Sequence, residues 1–187
     1  MDFRGKYGPW ALIAGASEGT GASFARQLAA KGLNLILIAR RAGPLEALAQ
    51  DIRAAHGVEC VTAAIDLSLD DATTRMAEAA GEREVGLLIL NAGADPNGAR
   101  FLDSDIAAWD QLAMRNVMTT MRACHHFAQG MRERGRGGII LCGSGACYGG
   151  LPGITVYGAS KAFDLVFGEG LWSELRPHGV DVLGLIL

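Results

Sequence analysis

Long apolar runs are missing from this 187-residue sequence. The longest, "LNLILIA" (33–39) and "VGLLIL" (85–90), are strand-length. They fall far short of the roughly 20 residues that cross a bilayer, so no membrane partner is expected. No excess of one charge exists either. The net charge is −3 and the basic residues are scattered, which leaves no electrostatic case for nucleic acid. Cysteine is sparse: Cys60, Cys124, Cys142 and Cys147 form no C-x-x-C pair, no secretory leader is read before them, and no N-x-[ST] sequon occurs. They read as free thiols in a reducing compartment, hence a cytoplasmic protein. "CHHF" (124–127) offers adjacent histidines, but neighbours on a helix point about 100° apart and position 129 is Gln, so no metal site is expected. Lysine is scarce too, with three against fourteen arginines.

What is present is Ala, Leu, Ile, Val and Gly, set out as short apolar runs alternating with longer helical patterns. Strands are expected at 9–16, 33–40, 58–66, 85–93, 137–145 and 179–187, and helices at 23–32, 44–57, 70–81, 105–135 and 155–177. The strands are nearly continuous in apolar residues, as strands buried on both faces of a parallel sheet are. Strict alternation then implies one doubly wound α/β domain over 1–187, three layers deep. On the long helix Trp109, Met114, Met118 and Met121 recur at helical spacing, which reads as core or as a helix-on-helix interface.

Two stretches carry chemistry. "AGASEGTG" (14–21) joins the first strand to the first helix, with glycines at 15, 19 and 21. Glycine permits positive φ and close backbone approach, and amides at a helix start favour a pyrophosphate. A turn built only for tight packing is the plain alternative. "TVYGASKAF" (155–163) puts Tyr157 and Lys161 on one helical face. A phenol ordinarily titrates near 10, and lowering that by about three units takes roughly 4 kcal/mol of preference for the phenolate. A nearby ammonium pushes that way.

The G-x-x-x-G-x-G spacing and the Y-G-A-S-K run resemble the short-chain dehydrogenase/reductase family, over essentially the whole chain. "NAG" (91–93) is similar to the family's N-N-A-G, with Leu90 in place of the first Asn. Thr20 stands where Ile is more frequent, and Gly143 where Ser or Thr often is. The resemblance implies a Rossmann-like fold and an NAD(P)-dependent oxidoreductase interconverting a carbonyl and a secondary alcohol by hydride transfer. It implies Tyr157 as acid/base, Lys161 serving both the phenol and the cofactor ribose, and Ser144 holding the substrate oxygen. Asn116 would hold a water linking Lys161 to solvent. Gly15, Ser17, Gly19, Thr20, Gly21, Asp66, Leu67, Asn91, Ala92 and Gly93 would join Tyr157 and Lys161 against the cofactor, with Asp66 at the adenine. A homodimer or homotetramer is implied as well.

"ILIARR" (36–41) lacks the acidic residue that takes a ribose 2′-hydroxyl in NAD sites. Arg40 and Arg41 instead offer charge-assisted contacts to a 2′-phosphate, with Ser17 as a supporting hydroxyl and Glu18 opposing. NADP(H) is therefore expected, with NAD(H) as the alternative. The substrate-side stretches "ADPNGARF" (94–101) and "ACYGGLPG" (146–153) hold no cluster of bases, which points to an uncharged or largely apolar small molecule. The opening "YGPWALIAGASEGTG" is similar to the branch that handles steroid and long-chain 3-ketoacyl substrates. Leu187 stands at the end of the sixth strand, where the family continues into a nicotinamide-contacting segment, a lid and a seventh strand. An incomplete domain is the expectation, self-associating through 180–187, weak in NADP(H) binding and slow in turnover. The alternative reading is a non-catalytic NADP(H)-binding or assembly module.

Overall fold

Every residue of the first strand, Trp10–Ala14 (β1), is buried, which only a central place in a two-sided sheet allows. The computed structural model describes residues 2–95 and 97–187. In it β1 lies between β2 (Asn34–Ala39) and β4 (Val85–Leu90), and β3 (Cys60–Ala64), β5 (Gly137–Gly143) and β6 (Val180–Ile186) complete one parallel sheet in the order β3-β2-β1-β4-β5-β6. Ala14 is level with Ile38 on one side and Leu90 on the other. The chain winds outward from β1 and then restarts at β4 on its far side. The carboxyl ends of β1 and β4 thus form a switch point, where such sheets open a crevice for ligands.

Among the described residues seven α-helices cover the sheet: α1 (Phe3–Tyr7), α2 (Gly19–Ala30), α3 (Ala42–His56), α4 (Ala72–Ala80), α5 (Ile106–Ala113), α6 (Thr119–Arg134) and α7 (Thr155–Leu175). Alternate strand residues feed opposite cores. Leu12, Ile36 and Leu88 pack with Met76 of α4 and Met131 of α6. Ala11, Ile13, Leu35 and Ile89 pack with Leu28 of α2 and Ile52 of α3. β6 pairs with β5 and, like β3, is an edge of the sheet. No helix among the described residues is long and apolar enough to cross a membrane.

Several expected boundaries move. Each strand stops one to three residues before its expected carboxyl end, because those residues leave the ladder to form the loops of the site. The helix expected at 105–135 is interrupted by a π-helical turn, Met114–Met118, which carries the buried Asn116. Such turns admit one extra residue and re-aim the side chains on them. On this helix Trp109 belongs to the core, its indole N–H donating to the Phe101 carbonyl at 2.9 Å, while Met121 is exposed. α2 begins at Gly19 rather than 23, and α7 gives way at Leu175 to a short 3-10 turn holding Pro177. His125 is bonded to Gln129, and His126 packs edge-on to Phe127 at 4.8 Å.

α1 was not expected. Its Tyr7 hydroxyl donates to Asp181 of β6, and Lys6 pairs with the same carboxylate, both at 2.5 Å. Burial works against ionisation of Asp181, but the bonds from Lys6 and Tyr7 outweigh it and hold the carboxyl below its ordinary range. The latch ties the start of the chain to the edge strand.

Candidate active site

β1 leads into Gly15 at φ +84°, where a Cβ would meet the Ala92 backbone. Only glycine adopts that conformation readily. Gly21 is tighter still. A Cβ there would overlap the Gly15 carbonyl and press on Asn91 Nδ2. Those two groups are themselves bonded, Asn91 Nδ2 donating to Gly15 O at 2.9 Å. Gly19 starts α2, and Glu18 before it makes no side-chain bond to the first amides. The helix start keeps free donors and the positive end of its dipole for an anion. The cradle suits a pyrophosphate, so the residues present fit a dinucleotide.

Ser17, Arg40, Leu67 and the stretch Asn91–Ala94 line the cleft beside this loop. Arg41 lines it too, but its guanidinium is paired with Glu18 at 3.0 Å. The opposition expected of Glu18 is thereby directed at Arg41, in an exposed pair of small energetic weight. Among the described residues, no hydrogen bond or ion pair holds the Arg40 side chain. Asp66 Oδ1 accepts from the Ser68 amide at 2.9 Å and hydroxyl at 2.7 Å. Burial resists its ionisation, yet those bonds and the charges of Arg40 and Arg115 hold the carboxyl below its ordinary range. Ile65 and Leu67, its neighbours in the chain, line the cleft, and Thr119 Oγ1 donates to the Leu67 carbonyl at 2.9 Å.

Arg115 escaped the sequence reading. It lines the same cleft, with Nη2 donating to the Ala94 carbonyl at 2.6 Å and Nε to Asn116 Oδ1 at 3.3 Å. Burial, then the charge of Arg40, loosens its hold on its proton. Arg40 and Arg115 therefore make a positive field that a bound anion would relieve. The only trace in the sequence is a base directly before Asn116 in "MRNVM".

A second cavity adjoins the first across Asn91, Gly93 and Ala94, and brings together Thr20, Ser144, Tyr157 and Lys161. Ser144 caps a 3-10 turn, Gly145–Tyr148, its Oγ accepting from the Ala146 amide at 3.3 Å. The hydroxyl proton is left free to donate. Tyr157 sits in the first turn of α7, with the Lys161 ammonium 5.8 Å from its ring centroid. Lys161 is buried and donates to the Cys142 carbonyl and to Asp164 Oδ2, each at 2.9 Å. Asn116 Nδ2 donates to Ser160 Oγ at 3.0 Å, and that hydroxyl donates to the Tyr157 carbonyl at 2.7 Å. The π turn therefore braces the start of α7. A side chain at Gly93 would meet both Lys161 Nζ and Asn116 Oδ1. Of the two substrate-side stretches, Gly98 and Gly153 approach each other. Pro96 lies outside the described residues.

A family model described as short chain dehydrogenase matches residues 9–186. The chain is 35% identical over 183 residues to a 7beta-hydroxysteroid dehydrogenase of Clostridium sardiniense, covering 98% of this chain and 70% of that protein. It is 37% identical over 182 residues to a very-long-chain 3-oxoacyl-CoA reductase of Podospora anserina, covering 95% of this chain and 54% of the relative. Among solved structures, one from a study of 7beta-hydroxysteroid dehydrogenase stereoselectivity superposes with a TM-score of 0.95 at 31% identity, over 100% of this chain and 71% of that one. A short-chain dehydrogenase of Sphingobium yanoikuyae in complex with NADPH superposes with a TM-score of 0.88 at 32% identity, over 95% and 70%.

Proposed function

Because this chain belongs to the short-chain dehydrogenase family, we propose that residues 1–187 form the cofactor-binding domain of an NADP(H)-preferring oxidoreductase that interconverts a largely apolar ketone and its secondary alcohol. The observation that carries this is the meeting of Ser144, Tyr157 and Lys161 around one cavity that joins the glycine-loop cleft. The nicotinamide, when bound, supplies or accepts the hydride. The chain handles the rest. Ser144 donates its free proton to the substrate oxygen and orients it. Tyr157 gives that oxygen a proton in reduction and removes it in oxidation, with Lys161 favouring the phenolate. Asn116, through Ser160, keeps Tyr157 in place.

The phosphate preference rests on the Arg40 guanidinium, which has no partner among the described residues, and on Arg115 in the same cleft. The apolar substrate class is supported by exposed Leu102, Tyr148 and Leu151 on or beside the substrate-side stretches. The names of the relatives, a steroid dehydrogenase and a long-chain 3-oxoacyl reductase, point the same way. The test is kcat/KM with NADPH and NADH over a panel of steroid ketones and 3-oxoacyl thioesters. NADPH is expected to win in wild type. Arg40→Ala is expected to lower that preference about 10- to 100-fold, the worth of one charge-assisted bond. Equal use of both cofactors by wild type, or an unchanged preference in Arg40→Ala, contradicts the assignment.

A further inference from the structure

Asp164 follows Lys161 by three residues on α7, inside the apolar run "KAFDLVF", and is 5% exposed. Its Oδ2 accepts a hydrogen bond from Lys161 Nζ at 2.9 Å, while its Oδ1 meets no hydrogen-bond partner among the described residues. Burying a carboxylate with one oxygen bare is costly. Buried ion pairs are also commonly replaceable by apolar residues without loss of stability. A fold in need of packing alone would not place an acid here.

The surroundings show where the charge of Asp164 acts. Cys124 of α6 and Cys142 of β5, both buried, lie within reach of its charge. Burial, then the charge of Asp164, pushes the Cys124 thiol up to about 12. Burial pushes Cys142 up to about 11, with Lys161 opposing and Asp164 adding. Both thiols are therefore neutral near pH 7. Burial also raises the pKa of Asp164 itself, against the attraction of Lys161. The charge that Asp164 meets is the Lys161 ammonium, which the Cys142 carbonyl fixes from β5 and which also borders the cavity holding Tyr157.

Resting on the assignment of Tyr157 as acid/base, we propose that Asp164 is a positioning residue of this reaction: it holds Lys161 toward β5 and offsets part of its charge. The phenol then feels less of that charge than Lys161 alone would impose. Asp164 thereby sets how much of the Lys161 charge reaches Tyr157.

The test is a pH titration of phenolate ultraviolet absorbance. The signal that Tyr157→Phe removes isolates Tyr157 from Tyr7 and Tyr148, and needs no turnover. In Asp164→Asn, and in Asp164→Val should the amide not fold, the Tyr157 midpoint is expected to fall by about one pH unit, as an uncompensated charge one helical turn away requires. The acid limb of the alcohol-oxidation pH profile moves by the same amount. An unmoved or raised midpoint in a folded variant, checked by circular dichroism, overturns the proposal. Unfolding of both variants overturns it as well, since the acid would then serve the fold. A wild type without turnover would instead sink the oxidoreductase reading, with the titration still deciding Asp164.

Discussion

Tyr157→Phe is expected to lower kcat by about 10²–10⁴-fold, the range that a positioned acid/base supplies, while NADPH affinity stays nearly unchanged. The substitution removes one hydroxyl and keeps the ring. The contacts that hold this part of α7 do not involve that hydroxyl: Ser160 Oγ donates to the Tyr157 carbonyl, and Lys161 is bonded to Cys142 and Asp164. The cofactor cradle at Gly15, Gly21 and Asn91 is built from other elements. Stopped-flow single turnovers separate the two effects, with cofactor binding followed by NADPH fluorescence. More than a few per cent of wild-type kcat in the Phe variant would remove Tyr157 from the acid/base role.

Gly21→Ala is expected to cost about 1–3 kcal/mol of cofactor binding, stability or both, as forced overpacking does. One methyl group is involved, but its neighbours cannot give way. The Gly15 oxygen is backbone, and Asn91 Nδ2 is held by that same oxygen at 2.9 Å. Relief requires opening the loop that cradles the pyrophosphate. A fluorescence titration should show NADPH affinity down by about 10- to 100-fold. Gly43→Ala is the control, since a Cβ there meets nothing within 4 Å. Wild-type affinity in Gly21→Ala would mean that the loop does not hold the cofactor as described.

The alternation of buried strands and helices was legible because apolar runs of strand length cannot be satisfied in any other way. The Tyr157–Lys161 pair was legible because spacing alone puts both on one face. Strand ends were harder. Arg40, Asn91 and Ser144 follow apolar runs and read as more strand, yet each lies beyond the last ladder residue. The π turn at Met114–Met118 leaves no mark in residue type, being a matter of one extra residue per turn. Arg115 and Asp164 were overlooked for opposite reasons. Arg115 passes for one of many scattered bases, and Asp164 for a polar interruption of a helical pattern. Both acquire meaning only from what α7, β5 and the cleft place beside them. α1 was invisible for want of length: five residues have no periodicity, and the latch to Asp181 spans nearly the whole chain.

The central claim is that this chain binds NADP(H) and passes hydride to a carbonyl with Tyr157 managing the proton. Its most direct test uses NADPH carrying deuterium at the transferred position of C4, incubated with a steroid ketone or 3-oxoacyl thioester, and mass spectrometry of the product. The account predicts one deuterium on the carbinol carbon for each NADPH consumed, and labelled alcohol formed about 10²–10⁴-fold more slowly with Tyr157→Phe. NADPH consumed without deuterium in the product, or no consumption with any ketone of the panel, would contradict it.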